Sequence, residues 1–173
     1  VKSITSVILT HEHADQTNGL FELRPYFWIN KRRINVYASS NTLVHLKSVH
    51  GYLFKGSSGY PAIVKSNVVR SRFTLGSVRE KINFKSIKLK HGNIYSMGYI
   101  FERMAYISDC NDFSVINMKE LKNLKYLIID CLGFDNHPTH FNLEEILYIH
   151  QSLKPGNTIL TNLHTDMDYD YLL

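Results

Sequence analysis

The sequence predicts an α/β protein, and three observations carry that expectation. Short apolar, β-branched runs (Val7-Ile8-Leu9, residues 34–38, residues 126–129) alternate with segments whose apolar residues recur at helical spacing. The runs keep ending at ionisable residues: His11 and His13, His91, Asp109, Asp130 and His164. In α/β proteins, loops from distant parts of the chain converge outside strand ends, so a site is expected there. The third observation is size. At 173 residues, 44% hydrophobic and 20% charged, the chain is expected to form a single domain over residues 1–173 with one real core.

Taken in order, the first run stops abruptly at H-E-H-A-D-Q, which presents His11, His13 and Asp15. Two imidazoles two residues apart, with a carboxylate two further on, can turn toward one point. Neutral imidazole suits zinc, iron and manganese, and the carboxylate adds charge that favours a divalent ion. Residues 17–23 have helical character, which Arg24-Pro25 is expected to end. A strand over 34–38 leads to a helix over 39–54, capped by Ser39, Ser40 or Asn41, with Leu43, Leu46 and Val49 at helical spacing. His45 and His50 fall in or near it and read as structural or exposed. The G-S-S-G turn at 56–59 precedes a strand over 62–69.

Alternation at Ile82, Phe84, Ile87 and Leu89 predicts a half-buried strand ending at Lys90-His91-Gly92. Residues 99–102 and 103–108 read as two further strands, the second running into Asp109-Cys110. A helix is expected over 114–124 and a buried strand over 126–129, ending at Asp130. Asn142 followed by Glu145 has the spacing of a capping box for a helix to about Leu153, which Pro155-Gly156 stops. A last strand over 158–163 feeds His164-Thr165-Asp166.

Bulk composition narrows the function classes. No apolar run approaches the ~20 residues needed to span a bilayer, and no signal-like start is present, so no membrane partner is expected. Two cysteines, Cys110 and Cys131, are too few for a disulfide framework and too widely spaced for a zinc finger; a reducing cytoplasm is the expected location. A net charge of +5 invites nucleic acid, but the bases are scattered, with only Lys31-Arg32-Arg33 clustered. The same charge attracts a small phosphorylated substrate, so nucleic acid is not favoured.

T-H-E-H-A-D-Q resembles the H-x-H-x-D-H motif of the metallo-β-lactamase superfamily of metal-dependent hydrolases. Further residues follow the same order. His91, in L-K-H-G, stands where the superfamily has its third His ligand, and Asp109, in Y-I-S-D-C, resembles its metal-bridging carboxylate. His140, in H-P-T-H-F-N-L-E-E, resembles the substrate-side His of ribonuclease Z and of the phosphoribosyl cyclic phosphate phosphodiesterase. L-T-N-L-H-T-D-M-D-Y is similar to the T-H-x-x-H-D segment closing the metal set in that branch. The resemblance implies an αβ/βα sandwich. Related proteins place several strands before the motif, whereas residues 2–9 alone precede it here, so the sandwich is expected to lack its N-terminal strands.

It also implies one or two divalent ions (Zn, Mn or Fe), held by His11, His13, His91, Asp109 and Asp15, with His164 as a substitute ligand. Asp15 and His140 are the expected catalytic groups: Asp15 orients a water or takes its proton, and His140 protonates the leaving oxygen. A small or nucleotide-derived phosphodiester is the implied substrate, and a homodimer is compatible with this family. Two positions depart from the motif. Gln16 stands where a second-site His is expected, and Asn162 where the final His would be. Both are neutral amides, poor ligands for a divalent ion, and both losses fall on the same ion. The competing expectation is therefore a degenerate, non-catalytic protein that keeps the scaffold and binds one ion or none.

Overall fold

The structure, a computed structural model, describes residues 4–76 and 80–172. Lys2 and Ser3, ahead of the first strand, lie outside the described residues. The chain divides into two compact units, Val1–Arg70 and Ser71–Leu173, each with its own apolar core.

In the first unit, β1 (Ser6–Ile8), β2 (Ile34–Ala38) and β3 (Val64–Val68) form a parallel sheet in that order. Parallel neighbours need crossover connections, and helices supply them. The first crossover carries α1 (Ala14–Thr17), a 3₁₀ segment (Asn18–Leu23) and α2 (Arg24–Asn30); the second carries α3 (Ser40–Val49) and α4 (Gly51–Lys55). Alternate residues Ile34, Val36 and Ala38 of β2 are buried, as a pleated strand requires. With Leu43, Leu46 and Leu53 from the helices they fill this unit's core.

Two local expectations change here. Pro25 opens a helix rather than ending one: it sits in the first turn of α2, where its missing N–H removes no helical bond. The helix expected over 39–54 breaks at His50, whose backbone (φ −124°, ψ 33°) leaves the helical region ahead of Gly51. Its start is as the sequence predicts, with Ser39 Oγ accepting from Thr42 N at 3.2 Å.

The second unit is built on a sheet ordered β4 (Arg72–Gly76), β5 (Lys81–His91), β6 (Ile94–Phe101), β7 (Met104–Ile107), β8 (Tyr126–Asp130) and β9 (Asn157–Thr161). The β4–β7 ladders are antiparallel, and β7–β8 and β8–β9 are parallel. The two parallel connections carry α5 (Val115–Glu120) and α6 (Leu143–Leu153), and α7 (Tyr169–Leu172) follows β9. Strand direction has a consequence for the site: β5 and β7 run the same way, as do β8 and β9. Their carboxyl ends therefore share one rim of the sheet.

β4 was not foreseen, because its alternation is short and half exposed; Phe73 secures it by stacking on Phe84 of β5 at 5.2 Å between ring centres. β6 begins five residues before the expected 99. Ser96 and Gly98 blur its apolar pattern, yet Gly98 is needed: a Cβ there would lie 2.8 Å from Leu89 Cδ1 and 3.0 Å from Ile87 Cγ1. The capping box at α6 is present in full, with Asn142 Oδ1 accepting from Glu145 N and Glu145 Oε2 accepting from Asn142 N. Leu89, Ile107, Leu121, Leu127, Ile129 and Ile146 are the fully buried centre of this unit. No helix among the described residues is long and apolar enough to cross a membrane.

Candidate functional site

The expected site residues fall in both units. In the first, β1 delivers Leu9-Thr10-His11 to the sheet's carboxyl rim. His11 is fully buried, and its Nδ1 lies 3.1 Å from the Thr10 hydroxyl, which holds the ring through that nitrogen. His13 follows two residues on, exposed, with its ring edge-on to His11 at 4.6 Å between centres. The Thr17 hydroxyl donates to the His13 carbonyl at 2.9 Å, tying the loop to α1. Glu12, between the two, turns away and accepts from the Thr42 hydroxyl at 3.0 Å.

Asp15 is exposed on α1, and Gln16 Nε2 donates to its Oδ2 at 2.6 Å. Partial burial is the largest influence on its carboxyl and pushes the pKa up. The Gln16 bond, a backbone bond and the positive potential of His11 and His13 together outweigh it and hold Asp15 below the usual carboxylate value.

In the second unit, His91 closes β5, where Gly92 (φ 58°) turns the chain back into β6. The left-handed backbone favours glycine, and a Cβ at this position would also meet Thr139 Cγ2 at 2.5 Å. The turn is tied down by Asn111 Oδ1, which accepts from Gly92 N at 2.9 Å. His91 is 3% exposed and donates from Nδ1 to the Thr139 carbonyl at 2.7 Å. A carbonyl can only accept, so Nδ1 carries the proton of this bond. That Nε2 faces Asp109 Oδ2 at 3.6 Å. The distance is too long for a hydrogen bond. It is close to the ~3.4 Å between two ligands of one tetrahedral ion with bonds of about 2.1 Å.

Asp109 follows β7, Asp130 closes β8 and Asn162 follows β9. Asn162 has a left-handed backbone (φ 63°), and its Nδ2 donates to Asp109 Oδ1 at 2.9 Å, Ser108 O at 2.9 Å and Asp130 Oδ1 at 3.1 Å. Asp130 is fully buried, so desolvation, the largest influence, pushes its pKa up. Its Oδ2 accepts from His140 Nδ1 at 2.8 Å and from Cys110 N at 3.2 Å. His140 stands edge-on to His91 at 4.9 Å between ring centres. The loop carrying it is pinned at both ends, by Leu132 N to Phe141 O and Leu143 N to Gly133 O, each 2.9 Å.

His91, Asp109, Asp130, His140 and Asn162 thus form one hydrogen-bonded and ring-stacked group. His164 does not join it. The expectation that His164 would point the same way as Asn162 assumed a strand through 163, but β9 ends at Thr161 and the left-handed Asn162 breaks the alternation. His164 is exposed, with Nδ1 2.7 Å from Asp166 Oδ1. Sequence reasoning passes over Thr10 and Thr139. Thr139 acts through its backbone carbonyl, which leaves no trace in residue type. The pairing of Asp130 with His140, ten residues apart, was the available signal.

Comparison with known proteins places the chain in context. The sequence matches the Beta-lactamase superfamily domain family over residues 1–162. The solved structure of a diphosphatase from the PhnP family is similar with TM-score 0.87 and 28% identity, covering 99% of this chain and 65% of that one. The short form of human tRNase Z is similar in fold, with TM-score 0.67 at 16% identity over 95% of this chain and 74% of that one. An octanoyltransferase from Porphyromonas gingivalis is 25% identical over 175 residues, 99% of this chain but 35% of its own length. The chain therefore spans about a third of that curated relative and somewhat under two thirds of the diphosphatase.

Proposed function

The chain belongs to the metallo-β-lactamase superfamily, and from that premise we propose that it is a metal-dependent hydrolase acting on a small or nucleotide-derived phosphodiester. The family resemblance names its donors as His11 and His13 from the first unit and His91 and Asp109 from the second, three imidazoles and a carboxylate suited to a divalent ion. The observation that carries the reading is the His91–Asp109 pair: a buried imidazole whose Nδ1 is held by the Thr139 carbonyl and whose Nε2 lies 3.6 Å from a carboxylate oxygen, a spacing that fits two ligands of one ion.

A divalent ion held by these residues would lower the pKa of water and polarise a phosphoryl oxygen. The chain's own residues do the rest. Asp15, held below the usual carboxylate value, stays ionised at neutral pH; it is a weak base and so orients water rather than taking its proton. His140, braced through Nδ1 by Asp130, presents Nε2 to protonate the leaving oxygen. Thr139 and Thr10 keep His91 and His11 in ligand geometry. The similar solved structure named as a diphosphatase of the PhnP family supports a phosphate-bearing substrate.

The octanoyltransferase name belongs to a protein of which the match is 35%, and acyl transfer finds little support in this chain. Cys110 and Cys131 are both buried, and burial pushes their thiols up to about 12 and about 11, so neither is an activated nucleophile. The amides at Gln16 and Asn162 favour one rival, a scaffold that has lost turnover. Hydrolysis of bis-p-nitrophenyl phosphate by EDTA-stripped and by Zn²⁺- or Mn²⁺-reconstituted protein separates the two. Metal-dependent turnover that falls ~100-fold or more in His140→Ala supports the hydrolase. A folded, metal-loaded protein with no turnover on this or any nucleotide diester supports the rival.

A further inference from the structure

We infer that this chain holds a single metal ion, because the side-chain amide of Asn162 takes up, as a neutral hydrogen-bond donor, the Asp109 oxygen that a second ion would need. The inference rests on the metal-site reading above and deepens it from an unspecified number of ions to one.

Asp109 shows the arrangement most clearly. Its Oδ2 is directed at His91, whereas its Oδ1 accepts from Asn162 Nδ2 at 2.9 Å. A carboxylate that bridges two ions offers one oxygen to each. Here the second oxygen is bound to an amide nitrogen. The same nitrogen lies 3.1 Å from Asp130 Oδ1 and 2.9 Å from the Ser108 carbonyl, so three oxygens are gathered around it. Such a cluster is what a hard cation would draw together. An amide nitrogen has no free electron pair to give a metal, but its two N–H bonds carry enough positive charge to hold oxygens.

Its orientation is not arbitrary. Rotating the amide by 180° would place its carbonyl oxygen against three other oxygens at about hydrogen-bond distance, each with no proton to offer. The left-handed backbone at Asn162 is what turns this side chain back onto the rim, and Asn accepts that conformation better than a β-branched or bulky residue would.

Within the first unit, Gln16 does the corresponding thing to Asp15. Its Nε2 donates to Asp15 Oδ2 at 2.6 Å, and its Oε1 accepts from the Thr10 hydroxyl at 3.5 Å, which fixes the amide the same way round. Each unit therefore spends one carboxylate oxygen on an amide donor. Asn162 also links Asp109 to Asp130, and through Asp130 to His140. The amide holds the two carboxylates in place, as a second ion would.

The test is the number of ions bound by the full 173-residue chain. EDTA-stripped protein is titrated with Zn²⁺ and read by native mass spectrometry and calorimetry; Mn²⁺-loaded protein is read by electron paramagnetic resonance. One Zn²⁺ per chain at saturation, and an uncoupled six-line Mn²⁺ signal, are expected. The Gln16→His/Asn162→His variant, folded by circular dichroism, is expected to bind two. Two ions on the wild-type chain, or exchange-coupled manganese, would overturn the inference and leave the metal-site reading standing. No ion bound at millimolar Zn²⁺ would overturn that reading and the inference with it. A folded double variant that still takes one ion would show that the amides are not what excludes the second. Should that variant fail to fold, the wild-type count decides alone.

Discussion

Asp130 offers the sharpest test of how the second unit prepares its acid. Its carboxylate serves three donors: His140 Nδ1 (2.8 Å) and Cys110 N (3.2 Å) at Oδ2, and Asn162 Nδ2 (3.1 Å) at Oδ1. Asp130→Asn keeps the shape and can keep an oxygen at the Oδ2 position. Its NH₂ then faces Asn162, which has two other acceptors within 2.9 Å and loses little. What disappears is the negative charge behind His140. Charge-assisted bonds contribute ~1.5–3 kcal/mol and neutral ones ~0.5–1.5, so the loss at His140 is about 1–1.5 kcal/mol, or roughly tenfold in kcat. The carboxylate favours protonated His140, so its removal shifts the alkaline limb of the pH–rate profile to lower pH. Asp130→Ala goes further: Cys110 N, wholly buried, loses its acceptor at a cost of ~1–3 kcal/mol in stability. Urea unfolding should therefore separate the variants, with Asn within ~1 kcal/mol of wild type and Ala well below it. An Asn variant with the wild-type rate and an unmoved alkaline limb would refute the idea that Asp130 positions a proton-donating His140.

Two further outcomes follow from the packing. Asn142→Ala removes the side-chain half of the α6 capping box, in which Asn142 Oδ1 accepts from Glu145 N, and the bond from Asn142 Nδ2 to Asn136, while the backbone N at 142 still donates to Glu145; it is expected to lower unfolding free energy by ~1 kcal/mol, up to ~2, in urea titration, with little change in metal binding. Cys110 and Cys131 have thiols pushed up to about 12 and about 11, so at pH 8 their thiolate fractions are of order 10⁻⁴ and 10⁻³. Native protein should react with Ellman's reagent far more slowly than protein unfolded in guanidinium, and raising the pH toward 10 should speed the native reaction; prompt release of both thiols at pH 8 without denaturant would contradict their burial.

How far the fold was legible varies with how much each element depends on its own residues. β2 and α6 could be read to within a residue, because alternation in one and a capping box in the other are local signals. β4 could not: its five residues alternate weakly, and what secures them is the ladder to β5 and the Phe73–Phe84 stack, both of which lie outside the segment. β6 was cut short at its start because Ser96 and Gly98 are poor strand residues by propensity. The neighbouring strand decides otherwise, since Leu89 and Ile87 leave no room for a side chain at Gly98. Pro25 shows the opposite failure, a strong local signal with two meanings that only the position of the preceding turn could separate.

The candidate site was legible to the same rule, with the boundary falling one step further out. That His91 and Asp130 stand at strand ends could be read from runs of apolar residues, since each run stops where the side chain must leave the core. What orients them could not. His91 is set by a carbonyl 48 residues away and His140 by a carboxylate across the rim, and a carbonyl has no letter in the sequence. Asn162 is the instructive case. Its departure from the motif was visible as a missing ligand. The reason it is tolerated, a left-handed residue that swings an N–H₂ group among three oxygens, depends on where β9 ends. His164 was expected to inherit the position because strands alternate; once the strand stops at Thr161, alternation no longer constrains anything beyond it, and the amide itself fills the place.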